Sequence, residues 1–105
     1  MDSKLEEQIT TALKAIEELE KMTKDAVCDE TILMRAIERN LGVIAVSVKR
    51  ISKMQPQWNI PDLALWLKLK TYILWDMKKL RKSFLDKVIN SSVPKIKTFL
   101  TNKIS

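Results

Sequence analysis

The stretch LMRAIERNLGVIAVSVKRISKM, residues 33–54, decides the fold. Leu33 or Met34, then Ile37, Leu41, Ile44, Val48 and Ile51 recur at steps of four and three, which puts them on one stripe of an α-helix. Ala36, Gly42, Ala45 and Ser47 interleave with these bulky residues. Small side chains permit close approach, so the helix is expected to face a second apolar surface besides the core. Pro56 stops it near Met54, because proline lacks the N–H that would continue the ladder.

On the N-terminal side, Leu5, Ile9, Ala12, Ile16 and Leu19 repeat the same rhythm, while Glu7, Lys14, Glu17, Glu18 and Lys21 mostly fall on the opposite face. Ser3 followed by Glu6 has the spacing of a capping box, and a first helix is expected over about 4–23. Residues 24–30 form a polar connector in which Asp25 or Asp29 can cap the second helix. On the C-terminal side, residues 55–60 form another connector. Pro61 suits the first turn of a third helix, with Asn59 as its cap. Leu63, Leu65, Leu67 and Leu69 alternate like a strand, but Trp66, Leu69, Ile73, Met77 and Leu80 fit a helical stripe better. This helix is expected to end near Trp75 or to run on through Lys82. Phe84, Leu85, Val88 and Ile89 begin a last apolar face, continued by Ile96, Phe99, Leu100 and Ile104. Pro94 within it implies one kinked helix, or a break with Ser91 or Ser92 capping a short final helix. The expectation is an all-α, up-and-down four-helix bundle, with a short fifth C-terminal helix as the alternative, in a single domain over 1–105.

Composition narrows the chemistry. The chain has one Gly, three Pro and no His. Scarce glycine disfavours turn-rich β folds and cannot build a phosphate-cradling loop. The missing histidine removes the side chain most used for acid–base work near neutral pH, every Ser-His or Cys-His nucleophile system, and any zinc site needing imidazole. Cys28 is the lone cysteine, so neither an intramolecular disulfide nor a cysteine metal cluster is available. No metal or cofactor is therefore expected. Glu6/Glu7 and Glu17/Glu18 are adjacent in sequence, so on a helix they diverge rather than converge on a substrate. The polar MDSKLEEQ start does not read as a signal peptide, and the longest apolar run, 63–75, is broken by Lys68 and Lys70. A soluble, cytoplasmic protein without a membrane span is expected.

Charge is unevenly placed. Residues 1–52 carry eight Lys/Arg against ten Asp/Glu, whereas 53–105 carry eleven against three. The basic half holds Lys68, Lys70, Lys78, Lys79, Arg81 and Lys82 beside Tyr72 and Trp75, a combination able to hold phosphates and stack bases. These six are the candidate RNA- or phosphate-binding residues. The plainer reading makes the lysines a solvated surface, Trp66 and Trp75 core, and Met22, Met34, Met54 and Met77 bundle filler.

Three blocks carry a family resemblance. Ala36-Ile37-Glu38-Arg39-Asn40-Leu41-Gly42-Val43-Ile44 followed by Val48-Lys49-Arg50-Ile51 resembles the second helix of the HepT-like proteins of the HEPN superfamily. Ile60-Pro61 resembles the opening of that family's third helix, and Val93-Pro94-Lys95-Ile96 that of its last. The resemblance spans about residues 4–104. It implies a HEPN-like bundle that forms homodimers and partners a minimal nucleotidyltransferase in a toxin–antitoxin type of system. In that family an R-x-x-x-x-H-x-Y motif ends the third helix; its Arg and His from two protomers cleave RNA, and its Tyr is adenylylated by the partner. The matching positions here are Lys70, Trp75 and Met77. Losing an acid–base group alone costs about 10²–10⁴-fold in rate. The expectation is a non-catalytic, dimeric partner of a nucleotidyltransferase that binds nucleotide or RNA without cutting it. The alternative is a basic RNA-binding bundle without that partner.

Overall fold

The computed structural model describes residues 2–24, 30–75 and 86–104, which contain four α-helices and no strand. Helix α1 spans Ser3–Lys24, α2 Glu30–Met54, α3 Leu63–Trp75 and α4 Val93–Ile104, the last preceded by a π-helical turn, Val88–Ser92. The all-α bundle expected from periodicity is the fold observed.

Helix α1 opens one residue earlier than the capping box implies. Asp2 is the cap: its Oδ1 accepts from the Lys4 N–H at 2.9 Å, and its carbonyl accepts from Glu6 N–H at 3.0 Å. A carboxylate there also complements the positive end of the helix dipole, which Ser3 cannot do. The inward stripe is the expected one, with Leu5, Ile9, Ala12, Ile16 and Leu19 all buried.

Helix α1 is about 33 Å long, whereas the six Cα steps from Lys24 to Glu30 reach at most roughly 22 Å. α2 must therefore fold back beside it. The contact of Asn40 with Met22, near the C-terminal end of α1, fits this antiparallel hairpin. Ile37, Leu41, Ile44, Ala45, Val48 and Ile51 are buried along α2, which packs on α1 and on α3. Of its small residues, Ala45 and Ser47 are buried, whereas Ala36 lines the side that faces α1. The caps suggested at Asp25 and Asp29 lie outside the described residues.

Past Met54 the chain turns twice. Trp58 N–H donates to Gln55 O at 3.1 Å, which places Pro56 at the second position of a β-turn, where its fixed φ fits. Asp62 then takes φ 56°. With Pro61 ahead of it this is the pattern of a type II turn. Asp62 O accepts from Trp66 N–H at 3.1 Å, so α3 starts two residues later than the Asn59 cap and Pro61 first turn would have it. Pro61 satisfies both patterns equally, and Ile60 ahead of it is buried. In α3, Trp66 and Leu69 face the core as expected. The buried Trp66 Nε1 has no hydrogen-bond partner among the described residues.

The last helical run is continuous from 86 to 104, so no Ser-capped break occurs at Ser91 or Ser92. Val93 N–H donates to Val88 O, an i→i−5 bond that widens the turn just before Pro94. In regular α geometry the proline ring would collide with the carbonyl four residues back; the wide turn moves that carbonyl aside. Val88, Val93, Ile96 and Leu100 face inward, and α4 packs on α1. Trp58 meets Phe99 edge to face at 6.0 Å, with Lys103 Nζ 4.8 Å from the Trp58 ring, so the 55–62 connector closes over α4. Asp62 and Lys95 lie 3.9 Å apart on this side.

Candidate functional site

The basic segment singled out by sequence is represented in the structure mainly by Lys68. It is exposed on α3, one residue from buried Leu69 and two from buried Trp66. Lys70 and Trp75 belong to α3, but their side chains lie outside the described residues, as do Met77, Lys78, Lys79, Arg81 and Lys82 entirely. Beside Lys68, Leu67 is also substantially exposed, so this face of α3 mixes cation and apolar surface.

A second polar feature lies between the two long helices. Thr11, Lys14, Ala15, Glu18 and Met22 of α1 face Arg35, Ala36, Arg39, Asn40 and Val43 of α2 across an open cleft of about 620 Å³. The small Ala15 and Ala36 leave room along this seam. Arg35 and Arg39 are exposed and one turn apart on the same face of α2, and Lys14 is exposed on the facing helix. Like charges at i,i+4 repel and weaken a helix by a few tenths of a kcal/mol. Asn40 is buried, and its Nδ2 donates to Met22 Sδ at 3.5 Å. A thioether is a weak acceptor, so the carboxamide is poorly satisfied there. Sequence reading missed this cluster. The Arg35/Arg39 spacing was its visible half; the other half, Lys14, becomes a neighbour only through the register of the hairpin.

Glu38 belongs to the same turn of α2 but is buried. Desolvation by burial raises its pKa above the ordinary 4.5, and the nearby Arg35 charge partly offsets this by favouring the carboxylate. Among the described residues no group of three His, Cys, Asp or Glu is arranged to hold a metal ion, and no helix is long and apolar enough to cross a membrane. Comparison with family models, curated proteins and solved structures finds no match to this chain.

Proposed function

We propose that the protein is a non-catalytic HepT-like bundle: a cytoplasmic, homodimeric interaction module that partners a nucleotidyltransferase and binds nucleotide or RNA without cleaving it. The supporting observation is the agreement of element order with the three sequence blocks. Ala36–Ile51 lies within the long second helix, Ile60-Pro61 lies in the turn just ahead of the third, and Val93-Pro94 follows the π-helical turn within the last helical run. At the motif positions Lys70, Trp75 and Met77 stand in place of Arg, His and Tyr. An indole cannot shuttle a proton, so in this reading the module keeps its binding role and loses the ribonuclease step.

Light scattering of the purified protein is expected to give a dimer, and incubation with RNA in chelator no cleavage. Metal-independent cleavage that disappears in Lys70→Ala would overturn the non-catalytic reading. Purification from the native host, with and without nuclease, separates the two partner classes. A recovered nucleotidyltransferase supports the module. RNA lost on nuclease treatment, with no such protein, favours the alternative of a plain RNA-binding bundle. That alternative draws on the basic 53–105 half and on exposed Lys68; it requires affinity that falls steeply with salt as counterions are released.

A further inference from the structure

The hairpin cleft carries an inference independent of the HepT-like reading. We infer that the α1/α2 cleft bounded by Lys14, Arg35, Arg39 and Asn40 is a binding site for a small phosphorylated ligand of nucleotide size.

Three observations converge on it. The cleft's volume, about 620 Å³, lies in the range of small-molecule sites. Three cationic side chains border it against one carboxylate, Glu18. They are drawn from two helices, so they approach the cleft from opposite walls instead of forming one solvated stripe. Arg35 and Arg39 present planar donor forks one turn apart, and an anion between them replaces repulsion with two charge-assisted contacts. The third observation is Asn40, a buried amide on the cleft wall whose Nδ2 contact is to a thioether. A phosphate or ribose oxygen is a stronger acceptor for that N–H. Met22, Ala36 and Val43 add apolar surface for the rest of a ligand.

The concave, small-molecule dimensions favour a mononucleotide or pyrophosphate over a nucleic-acid strand, which needs an extended groove along its backbone. Glu18 and Glu38 are the nearby acidic groups: Glu18 is exposed on the facing wall, and Glu38 is buried beside Arg35. Against these two carboxylates stand three cations, Lys14, Arg35 and Arg39.

Isothermal titration with ATP, with inorganic pyrophosphate and with a single-stranded RNA oligonucleotide tests the site on the full chain. ATP and pyrophosphate are expected to bind saturably, and Arg39→Gln to weaken both roughly ten- to a hundredfold. Lys14→Gln is expected to weaken them as well, and Lys87→Gln, at an exposed lysine outside the cleft, to leave them unchanged. Lys14 is exposed, so its variant keeps the test valid even where circular dichroism shows that Arg39→Gln has lost helix. No saturable binding at millimolar ligand, binding that Lys14→Gln and a folded Arg39→Gln leave intact, equal weakening by Lys87→Gln, or binding of the RNA alone would overturn the assignment.

Discussion

Glu38 sits three residues after Arg35 on α2, buried where a carboxylate is poorly solvated. Its pKa in the folded protein is raised, so between its unfolded and folded values the folded state holds the extra proton. The stability linked to this group is then fully present at acidic pH and declines as pH rises through the folded value. Glu38→Gln is expected to raise the melting temperature at pH 7, with the gain shrinking as the pH falls through the raised folded value and vanishing below about 4, the range in which wild-type Glu38 is neutral in both states. Calorimetry across pH 3–8 checks this; a gain that stays constant over that range would rule it out. Trp66 poses a related cost at the same scale, since a buried indole N–H without a partner forfeits roughly 1–3 kcal/mol of desolvation.

The π-helical turn at Val88–Ser92 inserts one residue's worth of backbone ahead of α4 and makes room for Pro94. Deleting exposed Asn90 together with Pro94→Ala is expected to restore regular i→i−4 bonding while keeping Ile96 and Leu100 inward. The cost by urea denaturation is expected to stay below about 1 kcal/mol. Deleting exposed Thr98 in a Pro94→Ala background instead rotates everything after it by about 100° and turns Leu100 outward, at roughly 2 kcal/mol or more. Equal losses would mean that the wide turn does not set the phase of α4. The sequence carried this element only partly. Leu5 to Leu19 and Ile37 to Ile51 were readable because burial imposes a period. Element starts were not, because Asp2 and Ser3 are both good caps, and Pro61 fits a turn as well as a first helical residue. Pro94 announced a disruption without saying whether the backbone would break or widen. For the site, Lys68 was legible as an exposed cation, whereas the pairing of Lys14 with Arg35 and Arg39 is a product of hairpin register that no local pattern encodes.

At the scale of the molecule, α2 packs on α1 and α3, and α4 packs back on α1. Leu41 is fully buried in the middle of this arrangement, and Leu41→Ala is expected to cost about 2–5 kcal/mol, a large part of the roughly 5–15 kcal/mol typical of a whole domain. The contacts that join the helices differ widely in reach along the chain. Asn40 and Met22 are 18 residues apart, whereas the Lys97–Glu20 pair, at 2.7 Å, bridges 77. Chain closure for the second costs about 1.3 kcal/mol more than for the first. The hairpin of α1 and α2 is therefore expected to assemble early, with α4 docking afterwards. In stopped-flow kinetics Leu41→Ala should mainly slow refolding and Leu100→Ala mainly speed unfolding; the reverse pattern would place the nucleus at the other end of the chain. A helix that docks last is expected to undock first, so hydrogen exchange should report opening at α4 before the α1/α2 seam.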